Sequence, residues 1–435
     1  MFSTIKKLLF HKYITKGVFA ICDQGLFSFT TLAVNVLFVR WLSPSEYGSF
    51  VIAYSIYIML QSINMGFLHE PMAIFGTHKY KNNLLKYLNS VIFCQIILSS
   101  VFLIIIVLLS LLILESNQSL KYAFLGMGIS IPCLFLFNLL RKFYYIKLDS
   151  RKACTSSTAY CIGVLLSLYI LQSEGLLSPF TAFLTLGAIS LVVGMTTFIL
   201  FYPSWKFTVC KKDIQELAGE HFKYGKWVIG TNLITWIPTN IYVIVLPVFI
   251  GIAGTGVFRA LLNFALPVQH LSKAFNLLFL PKFSKFFAEK QLKRLENMVS
   301  VYTMSVLVVT IIYWLFLSIF GKILISLVYN GKHLEYANLL WLIGLIPFLS
   351  TISLPRAYAL RAMRKPNKIF ISSCITAVFA LIGLVLIDFW GLKGAIISLL
   401  ISTLVNSLCI FYWYHKLMVQ YRSTSIHSTQ IEGKL

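Results

Sequence analysis

The stretch GTGVFRALLNFALPVQHLSKAFNLLFLPK, residues 254–282, is apolar and long enough to cross a lipid bilayer, which takes about 20 residues. It nevertheless contains four polar or charged side chains, Arg259, Asn263, His270 and Lys273. On a continuous helix with about 100° per residue, these side chains fall on one face. Charges in hydrocarbon persist where they face a bundle interior or a water-filled path. The spacing predicts a cationic wall of a polar passage, unless Arg259 and Lys273 simply extend to the nearer membrane surfaces.

The composition indicates that such stretches recur along the whole chain. Of 435 residues, 58% are hydrophobic and 12% are charged, and the mean hydropathy is +0.82. No soluble core needs so much apolar sequence, so we expect an all-α polytopic membrane protein. About twelve apolar segments can be placed, approximately 16–39, 49–69, 90–113, 122–140, 154–172, 177–201, 227–249, 256–279, 300–320, 336–357, 369–389 and 394–414.

The formal net charge of +23 could attract nucleic acid, but its distribution indicates membrane topology instead. With the amino terminus in the cytoplasm, most Lys and Arg fall in the connections on the cytoplasmic side. The positive-inside rule then predicts that both termini are cytoplasmic. We therefore expect a multi-pass protein of the inner (cytoplasmic) membrane, in contact with the lipid bilayer and not with nucleic acid.

Signatures of an enzyme, a metal site or a cofactor are absent from the sequence. The 8 cysteines stand singly, with no CxxC and none in a predicted outer loop, so we expect neither a disulfide nor a metal. No HExxH, P-loop or pair of aspartates two apart occurs, and the outer connections are too short for a catalytic domain. We expect no catalytic residue and no cofactor.

The two halves of the chain share a pattern at one constant spacing. YGSF at 47–50 recurs as TGVF at 255–258, and at the same spacing Gln24 matches Asn232. The fourth and tenth spans also end alike, in NLLRKFYYIKLDSRK and SLPRAYALRAMRKPNK. This pattern predicts two six-helix lobes related by an internal parallel repeat, with the axis along the membrane normal.

The expected domains follow from the repeat. Residues 1–202 form the N-terminal lobe and residues 203–420 the C-terminal lobe, while the polar tail 421–435 is expected to be disordered. Each lobe should begin with a short amphipathic helix on the inner membrane surface, at 3–15 and at 211–223.

Two spans present polar faces. In the first span Gln24 and Asn35 lie on one face, with Asp23 beside it. The seventh span contains Asn232 and is interrupted by Pro238, and carbonyls freed by proline tend to line cavities. These residues are predicted to line a passage between the lobes, the alternative being amides that join neighbouring helices.

Arg141 and Arg356 end their spans at the cytoplasmic interface, where they are gating residues or simple topology anchors. Pro238 is a third gating candidate because it interrupts its span. Asp23 and His270 are candidates for ion coupling, since a carboxylate and an imidazole could exchange protons near neutral pH.

Glu70 is a third coupling candidate. It precedes Pro71, so the second span should break or kink at this point. If Glu70 has no transport role, we expect a surface carboxylate facing Lys79 or Lys81.

The run DQGLFSFTTLAVNVLFVRWLSPSEYGSF at 23–50, followed by HEPMAIFG at 69–76, resembles polysaccharide biosynthesis proteins of bacterial membranes. These are Wzx-type oligosaccharide flippases of the multidrug/oligosaccharidyl-lipid/polysaccharide (MOP) exporter superfamily. The motif resemblance covers about 23–80, and the twelve-span, two-lobe plan covers the rest. Relatives such as the lipid II flippase place basic residues on the first and eighth spans. The eighth span here fits, whereas the first has no arginine before Arg40 at its outer end.

The resemblance implies movement of a polyprenyl-pyrophosphate-linked glycan from the inner to the outer leaflet, by alternating access and with an ion gradient. Other membrane proteins of polysaccharide assembly are candidate partners. Pyrophosphate oxygens suit the predicted basic wall. A drug or cation exporter of the same superfamily is one alternative, and its cavity should favour carboxylates. A membrane glycan polymerase or ligase is another, and it would be expected to need a large outer loop.

Overall fold

A computed structural model describes the backbone of residues 2–112 and 117–432, and the side chains of 17–112, 117–272, 275 and 279–422. Within these residues every regular element is helical and no strand occurs, so the all-α prediction is confirmed. The chain divides into two compact units, Met1–Leu233 and Ile234–Leu435. The Lys273 side chain, a member of the predicted cationic wall, lies outside the described residues.

Unit 1 (Met1–Leu233) contains seven complete α-helices. They are α1 (Phe2–Trp41), α2 (Pro44–Asn64), α3 (Glu70–Thr77), α4 (Leu84–Leu112), α5 (Gln118–Ile146), α6 (Ser150–Ser173) and α7 (Pro179–Phe201). A π-helical turn, Met65–His69, joins α2 to α3, and a 3₁₀ turn, Lys81–Asn83, precedes α4. Helices α2 and α7 begin at local capping signals: Ser43 and Ser178 form capping boxes, each followed by a proline in the first turn.

The remaining helices belong mainly to unit 2 (Ile234–Leu435). They are α8 (Lys211–Asn263), α9 (Leu266–Ala288), α10 (Leu292–Tyr329), α11 (Leu340–Ala362), α12 (Pro366–Ile382) and α13 (Val385–Glu432). A 3₁₀ turn, Leu334–Leu339, precedes α11. The buried core of unit 1 joins α4, α5 and α7 around Leu88, Phe143 and Phe198. That of unit 2 joins α10, α11 and α13 around Tyr302 and Ile410.

The described residues contain ten helical stretches long and apolar enough, by length and composition, to cross a membrane. Two of them, Lys211–Asn263 and Val385–Arg422, are each divided by a glycine with a non-helical backbone. These glycines are Gly251 (φ 73°, ψ 171°) and Gly391 (φ 52°, ψ −127°), conformations that other residues rarely adopt. The first divided stretch together with α9 covers the seventh and eighth predicted segments. The second, together with the shorter apolar helix α12, covers the eleventh and twelfth, so all twelve predicted segments are mainly helical. The prediction of a polytopic membrane protein with about twelve spans is confirmed.

Helices α5 and α11, whose sequences end alike, also end in the same backbone conformation. Leu148 and Arg364 both adopt the left-handed conformation, with φ of 56° and 59°. The next residues, Asp149 and Lys365, each bond back five positions, to the carbonyls of Tyr144 and Leu360. Both helices therefore end in the same αL cap.

Helix bounds differ from the prediction in two ways. The predicted surface helices at 3–15 and 211–223 are not separate elements, because α1 and α8 run on into the spans without a break. Helix α13 likewise continues to Glu432, into the predicted disordered tail 421–435. Neither glycine nor proline occurs between Ala395 and Glu432, so no residue there forces the helix to end.

The boundary between the units lies after Leu233, whereas the sequence predicts lobes divided after residue 202. The physical reason is that residues 203–233 belong to unit 1 by their contacts. The Asn89 side chain donates to the carbonyls of Lys206 and Thr208, at 2.9 and 3.1 Å. Asn89 Oδ1 in turn accepts from Trp205 Nε1 at 2.7 Å.

Candidate functional site

Asp23 of α1 is fully buried in unit 1 and is held by three donors from two other helices. Arg141 Nη2 of α5 donates to Asp23 Oδ2 at 2.8 Å, and Tyr145 Oη of α5 donates to the same oxygen at 2.5 Å. Ser157 Oγ of α6 donates to Oδ1 at 2.5 Å. In a core of low dielectric, this charge-assisted network satisfies the carboxylate and joins α1, α5 and α6.

The Arg141 guanidinium is enclosed by aromatic rings as well as by its ion pair. Its Cζ lies 4.2 Å from the ring centroid of Phe27 and 5.9 Å from that of Phe137. Such cation–π contacts compensate part of the hydration that a buried guanidinium loses. Arg141 is therefore more than an exposed topology anchor, and its predicted role in gating stays a prediction.

A small cavity of about 60 Å³ lies inside unit 1 and shares Phe27 and Phe137 with the Arg141 site. Seven of its fifteen lining residues are aromatic, and its polar lining residues include Thr31 and Asn35 of α1. Asn35 is buried and its amide is satisfied within the unit: Nδ2 donates to the Thr31 carbonyl at 2.8 Å, and Oδ1 accepts from Tyr47 at 3.2 Å. These bonds support the alternative in which Asn35 joins α1 to α2.

Two other predicted lumen residues of unit 1 have different surroundings. Gln24 is exposed, one position from the buried Asp23. Asn232 is half-buried, and its Nδ2 donates to the Ser62 carbonyl of α2 at 3.2 Å. Gln24 therefore remains accessible to a substrate, whereas Asn232 also fastens α8 to α2.

The kink predicted at Glu70-Pro71 is present as the π-helical turn Met65–His69. Glu70 Oε1 lies 3.9 Å from Lys142 Nζ, so the prediction that it faces Lys79 or Lys81 is wrong. Lys142 comes from α5, which is distant in sequence from Glu70 but packs beside it.

Lys79 instead holds the segment that precedes the seventh span. Its Nζ lies 2.5 Å from a carboxylate oxygen of Glu216 and 2.5 Å from one of Glu220. These hydrogen bonds, the one with Glu216 first, raise the pKa of Lys79 above its usual value. Lys86 and Asp213 add a parallel contact at 2.9 Å.

Pro71 also explains how this segment is held. Proline has no N–H, so the Phe67 carbonyl loses its helical donor. His221 of α8 is fully buried, and its Nδ1 donates to that carbonyl at 3.0 Å. Its Nε2 lies 2.7 Å from the Tyr87 hydroxyl. His221 thus satisfies the carbonyl that the HEPMAIFG motif leaves without a donor.

The predicted cationic stretch at 254–282 is not one continuous helix. Helix α8 ends at Asn263, and α9 begins at Leu266. Pro267 cannot donate to the Asn263 carbonyl, and a tighter turn at 264–265 separates the helices. The prediction of one unbroken helical face is therefore wrong, because it extended a single helical phase across this turn.

The residues of that stretch occupy different environments in unit 2. Arg259 and His270 are half-buried. Asn263 is buried, with Nδ2 3.4 Å from the Tyr329 hydroxyl. Among the described residues, Arg259 makes no ion pair with a carboxylate.

Arg356 of α11, which matches Arg141 in the repeat, also has no ion pair among the described residues. Its Nη1 donates to the Ile352 carbonyl at 2.6 Å, and its Cζ lies 5.0 Å from the Phe411 ring centroid. Pro238, the remaining gating candidate, lines a cavity of about 220 Å³ within unit 2.

Sequence reasoning missed three residues of these networks. Tyr145 follows Arg141 by one helical turn, a spacing that could have indicated a shared partner. Ser157 and His221 have no local signal, because their partners lie on helices far away in sequence.

The sequence profile of the polysaccharide biosynthesis protein family matches residues 37–298 of the chain. No curated protein matches it. The lipid II flippase MurJ, in an inward closed conformation, is similar in structure with a TM-score of 0.73 and 15% identity, over 95% of this chain and 91% of that chain.

An inward-facing multidrug resistance MATE family transporter of the MOP superfamily has a TM-score of 0.72 and 14% identity, over 92% of this chain and 96% of that chain. A MOP superfamily transporter from Pyrococcus furiosus has a TM-score of 0.64 and 11% identity, over 93% and 95%. Such identities establish a shared fold only. Because the family profile covers more than half of its length, the chain belongs to the polysaccharide biosynthesis protein family, and it has the fold of MOP-superfamily transporters.

Proposed function

We propose that this protein is a flippase that moves a polyprenyl-pyrophosphate-linked oligosaccharide from the cytoplasmic to the outer leaflet of the inner membrane. The transport serves the assembly of a cell-surface polysaccharide and proceeds by alternating access. Family membership supports the class of substrate, and the shared fold with MurJ and MATE transporters supports transport in preference to catalysis.

The observation that carries the choice of an anionic headgroup is the state of the intramembrane cations. Arg141 is neutralised by Asp23, but Arg259 makes no ion pair with a described carboxylate. An arginine in an apolar span that pairs with no carboxylate of the described residues suits an anionic ligand, and its planar fork can bind phosphate oxygens in bidentate geometry. We therefore assign Arg259 to the pyrophosphate.

Export of a drug or other cation is the alternative, because MATE transporters share the fold to a similar degree. Such a substrate needs an available carboxylate in its cavity. Asp23 is buried and already accepts hydrogen bonds from Arg141 and two hydroxyls, and Glu70 lies near Lys142. The described carboxylates therefore favour the anionic substrate.

Coupling to an ion gradient, cytoplasmic termini and contact with other polysaccharide-assembly membrane proteins form part of this proposal. For proton coupling, Asp23 would have to lose the donors that now hold it. His270, which is half-buried, is the simpler candidate near neutral pH.

The test is deletion of the gene followed by complementation with variants. Loss of the flippase should cause lipid-linked repeat units to accumulate on the inner face, and the wild-type gene should restore export. Arg259→Ala should restore little export at normal protein abundance, whereas Arg259→Lys should restore part because the charge survives.

Arg361→Ala is the matched control, because Arg361 is exposed at the end of α11 and lies against Tyr358. It should complement fully. Unpolymerised single units displayed outside the cell would indicate a polymerase instead. Full export by Arg259→Ala would remove the assigned contact with pyrophosphate.

A further inference from the structure

The cavity of about 220 Å³ in unit 2 is lined almost entirely by uncharged polar side chains. It lies among α8, α11, α12 and α13, and eight of its ten lining residues carry a hydroxyl or an amide. The mouth is formed by Thr235 and Thr239, which are exposed, and the floor includes the buried Thr376 and Ser402. An open polar recess of this size in an otherwise apolar bundle has room for ordered water or for part of a polar ligand.

Five of the seven hydroxyl groups that line this cavity donate hydrogen bonds to carbonyls of their own helices. Ser350, Thr376 and Thr403 donate to the carbonyls of Ile346, Ser372 and Leu399 in their own helices, at 2.9, 2.8 and 2.8 Å. Ser402 donates to the Ser398 carbonyl at 2.9 Å in the same way. Each hydroxyl oxygen keeps a lone pair, so the wall offers mainly acceptors, and the Asn406 amide adds two N–H donors.

The uncharged, mainly acceptor groups that line the cavity indicate which chemical class of ligand it can bind. Hydrogen-bond acceptors repel a pyrophosphate, and no lining residue is charged. An organic cation would find neither a carboxylate nor an aromatic ring on which to stack. A neutral group with several hydroxyl donors fits, and Pro238 and Leu399 provide apolar contacts for its C–H face.

We propose that this cavity is a subsite for one neutral sugar ring of the transported glycan. The proposal rests on the proposed function, and it separates the two ends of the headgroup. The pyrophosphate contacts Arg259, while a sugar donates its hydroxyl protons to the oxygens of Thr376, Thr403 and their neighbours.

The test compares two probes bound to the full-length protein in nanodiscs. One probe is a short-chain polyprenyl pyrophosphate carrying one N-acetylhexosamine, and the other is the same polyprenyl pyrophosphate without sugar. The double variant Thr376→Val, Thr403→Val keeps the side-chain shape and removes two acceptors. We expect its affinity for the sugar-bearing probe to fall about tenfold, as for the loss of two neutral hydrogen bonds. Its affinity for the bare probe should not change.

The matched control is Thr303→Val. Thr303 of α10 makes the same bond to its own helix, to the Val299 carbonyl at 2.8 Å, but it does not line the cavity. This variant should bind both probes as the wild type does. Ser350→Leu, which fills the cavity, should weaken binding of the sugar-bearing probe at least as much as the double variant.

Three results would decide against the subsite or against its premise. Equal binding of both probes by the wild type would overturn the subsite and leave the flippase proposal intact. Equal losses for both probes in the double variant would also overturn it. Failure of the wild type to bind either probe would instead overturn the proposed function on which the subsite depends.

Discussion

The cavities of the two units occupy corresponding helices but are built from different side chains. Thr31 and Thr239 match in the repeat, and each lines the cavity of its own unit. The cavity of unit 1 is lined by seven aromatic residues out of fifteen and adjoins the buried Asp23–Arg141 pair, whereas no aromatic residue lines the cavity of unit 2. The cavity of unit 2 has a hydroxyl wall, and Arg356 has no ion pair among the described residues.

This difference shows which part of an internal repeat is kept. The placement of helices is kept, because α1, α5, α6 and α7 line the cavity of unit 1 and the corresponding helices α8, α11, α12 and α13 line that of unit 2. The side chains are not kept: Thr231 of α8 stands where Asp23 stands in α1, so the second copy of the repeat has no carboxylate at that position. Unit 1 therefore has a buried ion pair beside its cavity, whereas the cavity of unit 2 is lined by uncharged hydroxyl and amide groups.

The strongest test of this comparison removes the matched arginines. Arg141→Met leaves the Asp23 carboxylate buried without its counter-ion, which typically costs about 3–5 kcal/mol. Arg356→Met removes one bond to a backbone carbonyl and should cost about 1 kcal/mol. Folded protein in detergent, followed against temperature by fluorescence-detected size exclusion, measures both.

The double variant Asp23→Asn, Arg141→Met is the control, because it removes both charges together. It should recover much of the stability that Arg141→Met loses. If Arg356→Met proved as damaging as Arg141→Met, the two arginines would have equivalent roles and the comparison would fail.

The second test concerns the segment that adds residues 203–233 to unit 1. A Cβ at Gly225 would lie 2.5 Å from the Gly66 carbonyl oxygen, so Gly225→Ala should cost about 1–3 kcal/mol by overpacking. Gly230, in the same helix, has no atom within 4 Å of such a Cβ. Gly230→Ala should be neutral or stabilise by up to about 1 kcal/mol.

Hydrogen–deuterium exchange measures this effect locally. Gly225→Ala should speed exchange in 211–224, because the His221 and Lys79 contacts depend on the same close approach. Unchanged exchange in 211–224 would mean that the close approach of Gly225 to Gly66 does not stabilise the packing of this segment against unit 1.

A structural feature can be predicted from the sequence when the residues that determine it lie close together along the chain. The spans are local apolar patterns, and the sequence predicts them. The Asp23–Arg141 pair joins residues 118 positions apart, and no local pattern indicates which arginine a buried aspartate meets.

The break in the predicted cationic stretch was within reach of the sequence. Pro267 has no N–H to donate to the Asn263 carbonyl, so the sequence alone predicts a kink at this point. The apolar residues continue on both sides of the kink, and hydropathy alone therefore does not reveal it. Glu70 illustrates the opposite case, since its contact with Lys142 depends on how α3 packs on α5.

The smallest expected effect tests what the units share. Leu148 and Arg364 hold φ of 56° and 59°, where a Cβ meets the following carbonyl at a cost of about 1–2 kcal/mol. Leu148→Gly and Arg364→Gly should each relieve this strain, less the added entropy of a glycine in the unfolded chain, and stabilise by up to about 1 kcal/mol. Leu148→Ala keeps the Cβ and should not stabilise. Equal gains in thermal unfolding would establish that the two caps are energetically equivalent; a gain at only one of them would mean that the repeat has diverged in its backbone as well as in its cavities.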